Sequence, residues 1–289
     1  MIESMCSILQ LPSLVTTDQI RDVYGPLGIS VYPPNDLVAL GMSRIARSPH
    51  LLELVTLSAP RLPLGRFFER CVELMLVYGQ SEYEVFSNIK TSNQFVQGEL
   101  DFVLRSIHET IHLEVALKFF LYRPQKEPIH LSHFHGPNLN DRLDLKLDKL
   151  ILSQLQKPVP ESYLAPSGFA KPTKALWLSG ILFYPWQMFW EQSVPSTSSI
   201  GINPLHQKSW WARAHEIEES LDSTDSLILN LPKSHWFKPI EEFSGEDIQS
   251  FKTTLEDLYN LEDPIMVHVE GQVGFKRKIR RGFVVPDKW

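Results

Sequence analysis

Between Ile111 and Phe119, within "TIHLEVALKFFLY" (110–122), positions alternate with period two. Ile111, Leu113, Val115, Leu117 and Phe119 are apolar, and His112, Glu114, Ala116 and Lys118 stand between them. Alternation over nine positions with β-branched residues among them predicts a strand. "GELDFVLRS" (98–106) alternates in the same way, with Leu100, Phe102 and Leu104 against Glu99, Asp101 and Val103. The two runs meet at "IHET", which predicts a hairpin with Glu109 in or near its turn, and "YEVFSNIKT" (83–91) predicts a third strand. Upstream, "LGRFFERCVELMLVYG" (64–79) sets Phe68, Val72 and Met75 at helical spacing, and Gly79 closes the segment. Downstream, "DRLDLKLDKLILSQLQ" (141–156) predicts a helix capped near Asn140. Its apolar stripe is Leu143, Leu147 and Leu150, and Gln154 continues the line. The order is helix, three strands, helix, and the breaks are short enough for neighbouring strands to be antiparallel.

On either side the texture changes. Residues 1–60 read as a helical cover, with "TTDQIRDVYGPLG" behind a Thr cap and "PPNDLVALGMSRIARS" behind prolines. Beyond Pro158, "ALWLSGILFYPW" predicts an apolar strand or pair of strands. "SWWARAHEIEESL" and "GEDIQSFKTTLEDLYNL" predict helices, and "DPIMVHVEGQVGFKRKIRRGFVVP" predicts two or three strands. The expected organisation is an α/β chain in three parts: an N-terminal helical segment (1–60), an αβββαβ core with a mixed sheet (61–190) and a C-terminal α+β extension (191–289).

The 289 residues suffice for one large domain or two modest ones, and a composition 43% hydrophobic and 21% charged is that of a globular protein. A net charge of −6 argues against indiscriminate coating of nucleic acid, though a local basic face is compatible with it. Two cysteines point to a reducing compartment without a disulfide framework. Met1–Leu11 lacks a basic start followed by a long apolar run, and no uncharged apolar stretch nears the ~20 residues of a spanning helix. The expectation is a cytoplasmic protein without a membrane partner.

The periodicity also bears on chemistry, because residues 108–112 spell H-E-x-x-H. Zinc peptidases carry that pattern on a helix, where His108 and His112 would share a face beside Glu109. On a helical wheel the apolar residues of 111–119 would surround the axis, with Glu114 and Lys118 turned inward among them. The strand is the better reading, and a zinc peptidase remains the less favoured alternative. His130, His133 and His135 in a loop have no Cys or further His close behind them. The tryptophans, which could stack on bases, are expected in the core.

As strand partners, Asp101 and Glu114 can share a face. Paired carboxylates repel unless a cation lies between them, and a hard ion such as Mg²⁺ prefers such ligands. Lys118 falls on the same side, where an ammonium would orient water or stabilise a phosphate. A solvated outer face is the plainer alternative, opposed by the apolar run around Lys118. Glu69 sits at the edge of the first helix's stripe, and Gln154 on its own stripe needs hydrogen-bond partners. Arg142, Lys146 and Lys149 line one helix side suited to phosphates, or to pairing with Asp144 and Asp148. Lys276, Arg277, Lys278, Arg280 and Arg281 concentrate five cations, a second phosphate grip or a solvated basic turn.

The order αβββα, with an acid on the first helix, Asp on the second strand and Glu…Lys on the third, resembles the PD-(D/E)XK nuclease superfamily. "GELDF", "HLEVALKFFLY", "GPNLNDRLDLKLDKLILSQL" and "LSGILFYPW" are similar to a bacterial family of uncharacterised domains placed within it. The resemblance covers roughly Leu64 to the closing "GFVVPDKW". It implies a PD-(D/E)XK-like fold and hydrolysis of DNA or RNA phosphodiesters with Mg²⁺ or Mn²⁺. Asp101, Glu114 and Glu69 would be at the metal, Lys118 at the water or phosphate, and Gln154 would match a second-helix glutamine. The superfamily's lysine stands two residues after the acid, and here that slot is Ala116. Either Lys118 leans back about 6.6 Å along the strand, or Lys146 substitutes, or the site is degenerate and binds nucleic acid or a protein without cutting.

Overall fold

In the computed structural model the described residues are 2–32, 41, 43–45, 47, 48, 50, 53, 62–79, 82–93, 96–166, 171–220, 227–273 and 276–289. Within these, the side chains of 2, 3, 6, 92, 93, 96, 97, 218–220, 271–273 and 276–280 are outside the description. Most of "PPNDLVALGMSRIARS" therefore lies outside the described residues. The strands are β1 (Ile29–Val31), β2 (Glu84–Asn93), β3 (Val96–Arg105), β4 (Thr110–Tyr122), β5 (Phe134–His135), β6 (Thr173–Pro185), β7 (Gln207–Arg213), β8 (Leu227–Asn230), β9 (Ile265–Val273) and β10 (Lys276–Val285). The helices used below are α1 (Ile2–Leu9), α2 (Thr17–Tyr24), α3 (Leu64–Gly79) and α4 (Leu143–Asp148). The chain is a mixed α/β protein, and no helix among the described residues is long and apolar enough to cross a membrane.

Two compact units form, each from separate stretches of chain. The first comprises Met1–Lys118, Asp144–Gly180 and Thr197–His206; the second comprises Phe119–Leu143, Ile181–Ser196 and Gln207–Trp289.

In the first unit β3 is antiparallel to β2 and to β4, β4 neighbours β6, and β1 runs parallel to β6. The hairpin predicted from period two is β3–β4, and the Ser106 amide closes its turn onto the Glu109 carbonyl at 2.9 Å. β4 contains the whole alternating run 111–119 and continues three residues beyond it to Tyr122. Its neighbour β6 lies so close that a Cβ on Gly180 would stand 1.9 Å from the Lys118 carbonyl oxygen, which only glycine avoids. Helix α3 buries Phe67, Phe68, Cys71, Val72, Met75 and Leu76, and Phe68 meets Trp177 of β6 edge-on at 5.7 Å. Each large apolar side chain buried there contributes about 1.5–3 kcal/mol.

The helix expected over 141–156 starts at Leu143 and changes pitch twice. After α4, Lys149–Ser153 form a π-helical turn and Gln154–Gln156 a 3₁₀ turn. Leu147, Leu150, Ile151 and Leu155 are buried along it, so the apolar stripe shifts by one position across the wide turn.

In the second unit β6 and β7 are parallel, β7 and β10 are parallel, and β9 is antiparallel to both β10 and β8. Here the sequence expectation is corrected: "SWWARAHEIEESL" is not one helix, because Gln207–Arg213 is a strand and the helix begins at Ala214. Trp210 and Trp211 alternate into different apolar clusters, the first with Val267 and Val284, the second with Phe183 and Phe283. Gly282 of β10 leaves room for the Trp210 ring, 2.3 Å from where its Cβ would be. "GEDIQSFKTTLEDLYNL" likewise gives two short helices, Gly245–Phe251 and Leu255–Tyr259. The second starts at Thr254, whose hydroxyl accepts from the Asp257 amide at 3.2 Å.

Candidate active site

The β3–β4 ladder runs from Arg105↔Thr110 to Phe102↔Leu113 and stops. The next residues on the two strands are Asp101 and Glu114, which face each other where pairing ends. The Val115 amide donates to the Asp101 carboxylate at 2.9 Å, so a side chain takes the place of the lost ladder bond. On the other flank β2 is interrupted at the same level. Ser87↔Phe102 and Ile89↔Leu100 are paired, and between them Asn88, across from Asp101, has a φ of 53°. Asparagine is among the few residues that enter this left-handed region readily. Pairing thus lapses on both sides of Asp101.

Glu114 is fully buried at 0% exposure. One of its oxygens lies 3.0 Å from His112 Nε2, and the other accepts from Gln154 Nε2 at 2.9 Å. His112 is itself 1% exposed, two residues back on the same face of β4. Asp101 lies near enough to Glu114 for the Glu114 charge to act on it. Burial first, and the Glu114 charge second, push Asp101 up to about 7; Glu69 adds to this and the Val115 amide opposes it. Two carboxyls set this close repel in their charged forms, and a cation between them would relieve it. Gln154 Oε1 is buried without a hydrogen-bond partner.

Beside Asp101 opens a cavity of about 340 Å³, lined among others by Arg66, Glu69, Arg70, Glu73 and Asn88. The helical residues pair along α3. Arg66 lies 2.6 Å from Glu69 and donates to Asn88 at 3.3 Å, while Arg70 lies 2.5 Å from Glu73, which also accepts from Ser87 at 2.7 Å. Glu69 holds the Arg66 guanidinium even more firmly charged than usual.

The structure therefore brings Asp101, Glu114 and Gln154 together; Asp101 and Glu69 line the cavity, and Glu114 and Gln154 are not among its lining residues. Lys118 is half-buried on the Glu114 side of β4, four residues on, and is not among the residues lining the cavity. Arg142 bridges to His135 through its backbone, Lys146 is half-buried, and Lys149 is exposed in the π turn. The side chains of Lys276, Arg277, Lys278 and Arg280 lie outside the described residues. Arg281 is turned inward, donating to the carbonyls of Trp236, at 2.6 Å, and Lys238. His108 is exposed in the turn and His112 buried on the strand, so the helical face that the zinc reading requires does not exist.

Among the described residues no three His, Cys, Asp or Glu side chains form a group able to hold a metal ion. A smaller donor set is nevertheless present. Mg²⁺ uses one or two protein carboxylates and keeps its waters, and the facing Asp101–Glu114 pair is of that kind. Glu69 does not complete it and is paired with Arg66 instead. Sequence reasoning considered His112 only as a zinc ligand and passed over Arg66, Arg70, Glu73 and Asn88. For His112 a signal existed, since it shares the parity of Glu114 on a strand.

No curated protein and no solved structure matches the chain. Residues 38–285 match the family model described as "Domain of unknown function (DUF1853)", and the chain belongs to that family.

Proposed function

We propose that the chain is a PD-(D/E)XK-like nuclease that hydrolyses DNA or RNA phosphodiester bonds with Mg²⁺ or Mn²⁺, and that it acts in the cytoplasm. The observation that carries the reading is the meeting of Asp101 and Glu114 where the β3–β4 ladder opens beside a cavity. The order α3, β2, β3, β4, α4, β6, with the two-residue β5 between β4 and α4 and with β2, β3 and β4 antiparallel, supports the fold assignment. Asp101 and Glu114 would hold the cation, which when bound would neutralise developing phosphate charge and lower the pKa of a water. His112 and Gln154 fix the Glu114 carboxylate in one orientation by their two hydrogen bonds. Arg66 and Arg70 offer guanidinium groups to phosphate oxygens along the cavity wall. Lys118 would orient water or the phosphate.

The test is incubation of single- and double-stranded DNA and RNA with Mg²⁺ or Mn²⁺. Cleavage that needs the cation and falls about 100-fold or more in Asp101→Asn and Glu114→Gln supports the reading. A second reading, nucleic-acid or protein binding without cleavage, is favoured by particular features. Both Glu114 oxygens are engaged, Glu69 is held by Arg66, and Ala116 fills the expected lysine slot. Binding that persists while no cation restores turnover selects that reading.

A further inference from the structure

We infer that Asn88 is a positioning residue for Asp101: its left-handed backbone holds the β2–β3 ladder open at one pair, so that the Asp101 carboxylate meets the cavity and not a cross-strand neighbour. The inference rests on the proposed role of Asp101 at the cation and adds what keeps that carboxylate available. β2 and β3 pair from Glu84↔Arg105 to Asn93↔Val96 with one pair missing, 88↔101. The register is the same on both sides of the gap, so no residue has been inserted as in a bulge. The gap comes from the conformation of Asn88, whose φ is 53°. Leu139 and Gln192 also have positive φ, but both lie outside helices and strands. Among the described residues, Asn88 is the one non-glycine residue that takes this conformation inside a strand.

An extended residue at 88 would complete the ladder. Cross-strand partners project from one face with Cβ atoms about 4.5–5.5 Å apart, so the Asn88 amide would then stand against the Asp101 carboxylate. Left-handed, the side chain turns to α3 instead, where its Oδ1 accepts from Arg66 at 3.3 Å. Asn88 and Asp101 both line the cavity. The sequence around the break favours extension, since Val85, Phe86, Ile89 and Thr91 are strand formers. Asparagine is the exception among them, able to enter the left-handed region at small cost. Position helps as well. β2 stands at the end of the strand order and Asn88 is exposed, so water can satisfy backbone groups that the missing pair releases. A residue held against the preference of its own strand marks a place where the break serves the site, here an acid left open to a cavity.

The test compares Asn88→Gly, which adopts the left-handed backbone freely, with Asn88→Val, whose β-branched side chain favours extension. A crystal structure of each reads the pairing at 88↔101, urea unfolding reads stability without divalent ions, and the rise in melting temperature with Mn²⁺ reads the site. Asn88→Val is expected to close the pair and to be at least as stable as wild type without divalent ions. It should nevertheless lose most of the Mn²⁺-dependent rise and cleave nucleic acid about tenfold more slowly or worse. Asn88→Gly is expected to keep the pair open and to keep most of the Mn²⁺-dependent rise. The inference is overturned if Asn88→Val leaves the pair open, if it closes the pair and keeps the full Mn²⁺ response, or if Asn88→Gly loses as much as Asn88→Val. It is also overturned if Asn88→Val loses stability in step with its Mn²⁺ response, the mark of a merely structural asparagine. A wild type that gains nothing from Mn²⁺ overturns the cation reading itself, and the positioning role with it.

Discussion

Glu114 on β4 and His268 on β9 are both buried in strands, at 0% and 2% exposure, yet their surroundings differ in kind. Glu114 has His112, Gln154 and Asp101 around its carboxylate. His268 has no hydrogen-bond partner on either ring nitrogen. Across the ladder it faces Arg281, whose guanidinium is spent on carbonyl oxygens. Burial first, then Arg281, push His268 down to about 4, with Glu241 in weak opposition. The imidazole is thereby neutral and packs as an apolar ring. In the first unit two carboxyls are gathered among donors, and burial with the Glu114 charge pushes Asp101 up, a repulsion that positive charge from outside would relieve. In the second unit a charge is suppressed and nothing is demanded. A buried ionisable group marks a candidate site when polar partners and a second acid are gathered around it.

The sharpest way to break this contrast is to remove each group's polarity. Glu114→Leu leaves His112 and Gln154 donors without an acceptor inside the fold, and should cost about 2–4 kcal/mol in urea unfolding at pH 7.5. Unchanged stability would show that the network contributes nothing. His268→Leu should lie within ~1 kcal/mol of wild type at that pH, because no hydrogen bond is lost. Its effect appears in acid. A folded pKa of about 4 against 6.5 means that the unfolded chain binds the proton first as pH falls. Wild-type stability is then lost from about pH 6.5 toward 4, by about 2–3 kcal/mol from this group, and His268→Leu should flatten that slope.

Asp101 should show the reverse effect. Its pKa is raised from 3.8 to about 7, so the folded state holds the proton longer and stability falls as pH climbs through that window. In the absence of divalent ions Asp101→Asn should be more stable than wild type at pH 8, by a few kcal/mol at most, and no different at pH 4. Added Mn²⁺ should raise the melting temperature of wild type and leave that of Asp101→Asn in place. A variant stabilised by Mn²⁺ as much as wild type would remove Asp101 from the cation site.

Local pattern made the first unit's hairpin legible. Period two identified β4 and the shared face of His112, Glu114 and Lys118, because a strand's side-chain parity depends on nothing beyond the strand. The facing of Asp101 and Glu114 follows from the short turn at 106–109. What local pattern did not show depends on distant partners. β7 reads as helix on its own, and only parallel neighbours at 181–185 and 282–285 hold "SWWAR" extended. The left-handed Asn88 leaves no periodic trace, and the Arg66–Glu69 pairing is one of several that the helix could have made.

The π-helical turn at Lys149–Ser153 gives that helix one residue more than an α-helical path would use. Shortening the turn by one residue would rotate everything after it by about 100°, taking the Gln154 amide off Glu114. The wide turn is thus a length adjustment in the scaffold, matching the phase of a helix to the phase of a strand it must meet at one atom.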